Sequence, residues 1–232
     1  MTFNTKQLAL KVDLKDDATL SSYWPGDNKE VIDTLLHHQR PTSELFVYLW
    51  GQPGVGKTHL IQGACHQATS QNKEAVYFPL KSMRYRADIF MGLEQLSLVC
   101  LDDIEAIVGD LKWEEAIFHL YNRLRANGTP LLISAQNPPH QLKVNLADLS
   151  SRLAWGLTYH IKPLCDEQKL QALTLRAMNR GLELPRDVGR FLLARCERNM
   201  GELYSILDQL DRASLIAQRR LTIPFVKHVL SL

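Results

Sequence analysis

The sequence predicts an α/β fold in which a parallel five-stranded sheet lies between helices and is followed by a small helical domain. Three observations support this prediction. Five short apolar runs alternate with helical segments, as buried parallel strands and their crossovers do. A phosphate-loop signature follows the first run directly, and from Asp166 onward only helical patterns occur. A chain of 232 residues has room for one such domain and a helical appendage.

The expected elements follow from apolar runs, helical periodicity and capping residues. A helix at 59–66 leaves the phosphate loop, and a clearer helix at 114–126 carries Ile117, Leu120, Tyr121 and Leu124 on one face. Capping residues predict four later helices, at Asp166–Glu167, Pro185, Asn199 and 222–224. The chain therefore divides into an N-terminal segment 1–22, a core domain 23–163 and a helical domain 164–232. The predicted strands are 45–50, 75–79, 96–101, 130–134 and 157–161.

Composition excludes several classes of protein. Hydrophobic residues make up 45% of the chain and the net charge is +2, which is too mild to indicate nucleic-acid or membrane binding alone. The four cysteines lack C-x-x-C spacing, so they read as reduced thiols rather than a zinc site or disulfide frame. Neither a membrane span nor a signal peptide is evident. We expect a soluble cytoplasmic protein with no membrane partner.

The segment Gly51–Thr58 matches the phosphate-loop pattern G-x-x-x-x-G-K-[ST]. Its glycines let successive backbone N–H groups point at phosphate oxygens, and the following helix adds its positive end. Lys57 is expected to neutralise the β- and γ-phosphates, and Thr58 to place its hydroxyl on Mg²⁺. The alternative is a glycine-rich turn with an incidental Lys-Thr pair. We predict a site for a nucleoside di- or triphosphate.

Two acidic residues end the third strand, as a Walker B motif does. Ligands bind at the carboxyl ends of parallel strands, where Asp102 can hold the Mg²⁺ that Thr58 also contacts. Asp103 can orient or activate the attacking water. The alternative is a strand that ends in two solvated acids. Polar residues at the end of the next strand are candidates to contact the γ-phosphate or that water: Ser134, Gln136 and Asn137.

Arg152 lies in the segment Leu149–Leu157, just before the last strand. From its position alone, an arginine here is usually a solvated or salt-bridged side chain.

Together these motifs resemble the core of an AAA+ ATPase, and more narrowly its DnaA-related branch. The segment 149–157 resembles the one that carries the arginine finger, which implies that role for Arg152. Longer strings at 23–28, 96–100, 116–123, 207–214 and 221–227 resemble the DnaA-homologous regulators of replication initiation. The resemblance implies a nucleotide site formed by Trp24, Pro25, Asn28, Gly51, Pro53, Gly54, Val55, Gly56, Lys57, Thr58 and His59.

Two positions depart from the family pattern. Gly201 aligns with the arginine of the second sensor, and Gln136 occupies a position that is usually acidic in the first. Loss of a cation near the γ-phosphate is expected to weaken hydrolysis in the chain's own site. Initiators of this branch also carry a helix-turn-helix domain, and we expect none here because the sequence ends at Leu232.

Near the N-terminus, Gln7–Leu10 resembles the sliding-clamp-binding peptide of these regulators. In an extended segment, Leu8 and Leu10 point to the same side and can fill one apolar pocket, with the Gln7 amide at its rim. Lys11 and Val12 depart from the family pattern, which has a proline and an apolar residue there.

The resemblance implies an adaptor that holds ADP or ATP with Mg²⁺. Its expected partners are DnaA and the β sliding clamp of DNA polymerase III, with DNA contacted through the clamp and a homo-oligomer as a further option. Arg152 would act in trans on DnaA-bound ATP, and the chain's own ATPase would be weak or absent. Two alternatives are a self-contained ATPase that acts as a helicase loader and a DNA-binding initiator fragment.

Overall fold

The computed structural model describes Leu14 and residues 18–37, 44–82, 87–197 and 199–232. Five parallel strands form one sheet in the order β2–β3–β4–β1–β5. All five predicted strands are confirmed, with slightly shifted ends. Their bounds are β1 Phe46–Trp50, β2 Ala75–Pro79, β3 Leu98–Asp102, β4 Leu131–Ala135 and β5 Leu157–His160.

Helices cover both faces of the sheet and then form a separate layer, the lid. The core helices are α1 Lys29–His37, α2 Lys57–Ser70, α3 Leu111–Asn127 and α4 Ala147–Leu153. The lid helices are α5 Asp166–Asn179, α6 Arg186–Arg195, α7 Met200–Ala217 and α8 Ile223–Leu230. Short 3-10 turns lie at Leu20–Ser22, Leu80–Ser82, Ala87–Phe90, Leu93–Gln95, Ile104–Ala106 and Pro139–Gln141.

The central strands β1, β3 and β4 are buried on both faces of the sheet, because alternate side chains of a strand point in opposite directions. In β1, Phe46 and Tyr48 pack into the cluster under α3 and α4. Val47 and Leu49 pack into the cluster under α1 and α2. This two-sided burial explains why the central strands read as nearly continuous apolar runs, whereas the edge strand β5 is mostly exposed.

The lid has its own apolar core, built from all four of its helices. Asn199 caps α7 by accepting from Gly201 N, and Thr222 caps α8 by accepting from Phe225 N, as predicted. At α5 the prediction was wrong, because Cys165 is the capping residue. Asp166 and Glu167 lie instead in the first turn, where a negative charge interacts favourably with the positive helix end.

The strand order determines which loops meet at the site. β4 lies between β1 and β3, so the carboxyl end of β4 separates the phosphate loop from the two aspartates. Polar residues at the three strand ends can therefore contact one another. Within the described part of the chain, no helix is both long and apolar enough to cross a membrane.

Candidate nucleotide-binding site

The phosphate loop connects β1 to α2, and two of its glycines have backbone angles that other residues rarely adopt. Gly54 has φ +79° and Gly56 has φ +98°. Neighbouring side chains also leave no room for a Cβ atom. A Cβ on Gly54 would lie 2.5 Å from Asn199 Oδ1, and one on Gly56 would lie 2.7 Å from the Tyr23 ring. The loop is therefore enclosed by the lid on one side and by Tyr23, at the beginning of the core domain, on the other.

Lys57 is the first residue of α2 and is only 6% exposed. Its ammonium donates to the carbonyl oxygens of Gly51 at 2.7 Å and Gln52 at 3.1 Å. Burial lowers its pKa, and the nearby carboxylates, led by Asp103, act in the opposite direction. A buried cation that donates to carbonyl oxygens is suited to bind an incoming phosphate anion.

The carboxylate of Asp102 accepts three hydroxyl hydrogen bonds. Thr58 Oγ1 and Tyr77 Oη donate to Oδ2 at 2.7 and 2.8 Å, and Ser134 Oγ donates to Oδ1. Asp102 is 2% exposed. A hydroxyl and a carboxylate in direct contact form the all-oxygen donor set that Mg²⁺ prefers, so these residues fit the ion that the motif implies. Within the described residues, no group of three or more His, Cys, Asp or Glu side chains forms a separate metal site.

Asp103 follows directly and adopts a left-handed backbone conformation, with φ +58°. Its N–H donates to Ser134 Oγ at 2.9 Å, so one serine hydroxyl contacts both aspartates. Burial is the main cause of a raised Asp103 pKa, with further contributions from the charges of Asp102 and Glu105. This carboxylate is consequently more basic than an ordinary aspartate.

A cavity of about 510 Å³ lies between the phosphate loop and the lid. Three cations face it, Lys57, Lys81 and Arg176, together with the carboxylates of Asp103 and Asp208. Its size and its mixture of apolar and charged walls suit a nucleotide. The remaining lining residues are Ala18, Tyr23, Trp24, Pro53, Gly54, Val55, Gly56, Thr58, His59, Gln62, Gln136, Leu164, Met200, Gly201, Tyr204 and Ser205.

Two family models match this chain. The bacterial DnaA ATPase domain matches residues 38–160, and the lid domain of Hda matches residues 166–230. The chain belongs to the bacterial DnaA ATPase family. With its lid, it is an Hda-like, DnaA-homologous AAA+ nucleotide-binding protein of DNA replication.

Solved structures agree with this fold. Domain III of the Thermotoga maritima initiation protein DnaA superposes with a TM-score of 0.78 at 19% identity, covering 93% of this chain and 96% of that one. AMPPCP-bound DnaA from Aquifex aeolicus superposes with a TM-score of 0.70 at 21% identity, covering 84% of this chain and 65% of that one. Thermotoga maritima RuvB superposes with a TM-score of 0.65 at 13% identity, covering 88% of this chain and 67% of that one. The predicted AAA+ core with a helical lid is confirmed.

In this DnaA-family site, the structure brings ten of the predicted residues to the cavity wall: Trp24, Pro53, Gly54, Val55, Gly56, Lys57, Thr58, His59, Asp103 and Gln136. His59 Nε2 also lies 2.8 Å from Thr19 O and donates to it, because a carbonyl can only accept.

Other predicted residues lie behind the wall and do not line the cavity. The Asn28 side chain makes two hydrogen bonds with the Lys162 backbone, at 2.8 and 3.0 Å. Gly51 and Asn137 offer backbone oxygens to Lys57 and Tyr48. Pro25 lines a neighbouring groove, whereas Asp102 and Ser134 are buried among the strand ends. Gln7, Leu8 and Leu10 lie outside the described residues.

Arg152 lies near the end of α4 and does not line the cavity. It is partly exposed, and its guanidinium carbon lies 4.8 Å from the Trp155 ring centroid and 5.9 Å from that of Tyr121. Arg125 lies over the same indole at 4.3 Å. The two arginines and the half-exposed Trp155 form a surface cluster, the α4 cluster, on the outside of the core domain.

Sequence reasoning missed several residues of the site. Tyr77 contacts Asp102 from β2, and Tyr23 closes over the loop with its hydroxyl 3.3 Å from Val55 O. Lys81 and Arg176 add positive charge from a 3-10 turn and from the lid. No local motif marks Tyr77, Lys81 or Arg176, because each comes from a separate element. The one usable signal for Arg176 is its place in an amphipathic helix that must cover a ligand cavity.

Proposed function

We propose that this chain is a nucleotide-bound adaptor that turns off DnaA once replication is under way. It holds ADP in its own cavity, binds the DNA-loaded sliding clamp through Gln7–Leu10 and docks on ATP-bound DnaA. Arg152 then reaches the ATP held by DnaA, and the product is DnaA with ADP. The observation that carries the proposal is the position of Arg152, outside the chain's own cavity and partly exposed on α4.

The chain's own site is built to hold a nucleotide. Lys57 and the N–H groups at the start of α2 face the cavity from the phosphate loop. Thr58 and Asp102 would hold Mg²⁺, which screens phosphate charge when bound. The DnaA of Aquifex aeolicus was solved with AMPPCP, which supports an adenine nucleotide as the ligand.

Two positions of the cavity wall lack the charged side chain that could support hydrolysis in cis. Gly201, at the beginning of α7, lines the cavity and contributes no side chain. Gln136 lines it from the end of β4 and is uncharged. Charge that develops on a γ-phosphate would therefore find little added stabilisation from these two positions. This supports a role in which the chain's own nucleotide is mainly structural.

The α4 cluster can present an arginine to a second protein. Stacking on Trp155 and Tyr121 restricts the Arg152 guanidinium without using the N–H donors in its plane. A planar fork that binds phosphate oxygens in pairs stabilises the charge that develops as the terminal phosphate is transferred to water. Arginine fingers supplied in trans accelerate GTPases by roughly 10³–10⁵.

The decisive experiment measures hydrolysis of DnaA-bound ATP in the presence of DNA-loaded clamp and each variant. We expect Arg152→Ala to eliminate the stimulated rate while melting, ADP affinity and clamp binding stay as in the wild type. Arg152→Lys should restore little, since lysine lacks the planar fork. A variant without Arg152 that melts normally and still converts DnaA-ATP at the wild-type rate would overturn the assignment.

Arg125→Ala is the matched control, because it removes the other cation that lies over Trp155. We expect it to keep the maximal hydrolysis rate, even where it changes the concentration of DnaA needed for half-maximal rate. A common loss of maximal rate in both variants would assign the effect to the whole α4 cluster and not to a finger.

A second candidate is a self-contained ATPase that acts as a helicase loader. The intact contact between Thr58 and Asp102 favours it, since hydrolytic phosphate-loop sites use these groups. ATP turnover by the chain alone and with DNA separates the two functions. The adaptor is expected to show no turnover beyond background without DnaA, and rapid turnover alone would favour the loader.

A further inference from the structure

The lid places a partly buried, ion-paired arginine against the nucleotide cavity. Arg176 lies on α5, its side chain is 14% exposed, and it lines the cavity opposite the phosphate loop. Among the lid residues that line the cavity within the described ranges, it carries the only positive charge; the others are Leu164, Met200, Gly201, Tyr204, Ser205 and Asp208. A positive charge in this position faces the space that a bound nucleotide would occupy.

Two α7 side chains hold the guanidinium in place. Its carbon lies 4.4 Å from the centroid of the Tyr204 ring, and Nη2 lies 3.4 Å from both carboxylate oxygens of Asp208. A cation over an aromatic ring is attracted by the face of that ring, and this contact does not require the N–H donors that lie in the plane of the guanidinium. Two side chains of α7 therefore fix the orientation of the Arg176 guanidinium, and its N–H donors point outward in the guanidinium plane.

Asp208 has a second and shorter partner. Arg180 Nη1 lies 2.6 Å from Asp208 Oδ1, compared with 3.4 Å for Arg176 Nη2. Arg180 does not line the cavity. If Arg176 turned toward an anion, the Asp208 carboxylate would keep Arg180 as a close cationic partner.

We propose that Arg176 contacts a phosphate of the bound nucleotide and is the lid's cationic ligand for it. Its planar donors suit phosphate oxygens, and it faces the cavity from the side where Gly201 offers no side chain. The nucleotide is then hydrogen-bonded to the lid through a side chain of α5. The inference rests on the proposed function only in that ADP occupies this cavity.

The test is calorimetric measurement of ADP affinity with Mg²⁺ for the full chain and its variants. We expect Arg176→Gln to weaken ADP binding about tenfold or more, the range expected when a charge-assisted hydrogen bond is lost. Arg176→Lys should recover part of the loss. Arg180→Gln, which breaks the shorter ion pair at the same carboxylate and so holds Arg176 more firmly on Asp208, should weaken ADP binding less than Arg176→Gln does.

Asp208→Asn provides an independent test of opposite sign. Without the carboxylate, Arg176 is more available to the ligand, so ADP should bind at least as tightly as to the wild type. Weaker binding by Asp208→Asn would overturn the inference. So would equal ADP affinities for Arg176→Gln and Arg180→Gln in proteins that melt at similar temperatures.

Lys57→Ala separates this inference from the proposed function. Loss of ADP binding in Lys57→Ala with wild-type affinity in Arg176→Gln would overturn only the role of Arg176. Wild-type ADP affinity in both variants would show that ADP does not bind in this cavity, and it would overturn both the proposed function and the role of Arg176.

Discussion

At the scale of single residues, Lys57 is the group whose removal tests the nucleotide site most directly. Its buried ammonium donates to two carbonyl oxygens, and phosphate oxygens can replace these carbonyls as its hydrogen-bond acceptors. Lys57→Ala should weaken ADP binding strongly, and Lys57→Arg should be milder. Since a ligand that binds only the folded state raises its melting temperature, added ADP should stabilise the wild type and not the alanine variant. Equal shifts would place the principal site elsewhere.

Asp103 gives a prediction about pH. Burial and the neighbouring carboxylates raise its pKa in the folded protein, so folding favours its protonated form. The folded state then binds more protons than the unfolded chain, and stability falls as pH rises from the unfolded pKa, about 3.9, to the raised folded value. At pH values above the folded pKa, the buried Asp103 carboxylate is ionised and lowers the free energy of unfolding, and Asp103→Asn removes this destabilising charge.

We therefore expect Asp103→Asn to melt above the wild type at neutral pH and to lose that advantage below about pH 3.9. Asparagine tolerates the left-handed backbone that Asp103 adopts, so the substitution adds no strain. Thermal denaturation of both proteins across pH 3 to 8, without nucleotide, measures the difference. A lower melting temperature for the variant at neutral pH would show that the ionised carboxylate stabilises the fold.

At the scale of elements, one buried carboxylate connects α3 to the beginning of α4. Glu114 is fully buried and accepts hydrogen bonds from the backbone N–H groups of Gly109, Asn145 and Leu146 at 2.8 to 3.2 Å. Leu146 is the capping residue of α4, the helix that carries Arg152. The position of the proposed finger therefore depends on a side chain 38 residues away in sequence (152 − 114).

Glu114→Gln turns an amide N–H₂ toward backbone donors and should cost about 2 kcal/mol of stability. Urea denaturation measures this cost, and the exposed neighbour substitution Glu115→Gln is the matched control, with little change expected. Per molecule of folded protein, Glu114→Gln should also stimulate the hydrolysis of DnaA-bound ATP less than the wild type does. Full stability and activity would show that the loop before α4 is held by other contacts.

The contrast between elements explains what could be predicted from the sequence. The strands, the phosphate loop and the caps at Asn199 and Thr222 are encoded within a few neighbouring residues, so local patterns identify them. Contacts such as Tyr77 with Asp102, or Arg176 with Asp208, join separate elements and carry no local signal. The cap of α5 was misassigned because acidic residues favour both the capping position and the first helical turn.

At the scale of the whole molecule, the proposed function separates clamp binding from nucleotide binding. The clamp segment Gln7–Leu10 lies outside the described residues and remains a prediction from sequence. The double substitution Gln7→Ala with Leu8→Ala should abolish co-elution with the clamp and leave ADP affinity unchanged. Gel filtration with purified clamp measures the first, and calorimetry the second. Retained co-elution would refute the peptide assignment.

The cavity is walled by the core on one side and by the lid on the other. If the lid moved away from the core, a ligand that contacts both would lose its contacts with one of them. Backbone amides of α5 and α7 should then exchange with deuterium more slowly as ADP concentration rises, whereas amides of the central strands should change little. Under the proposed function, a bound nucleotide would therefore couple the position of the lid to that of the core, and the rigidity of the whole chain would rise with nucleotide concentration.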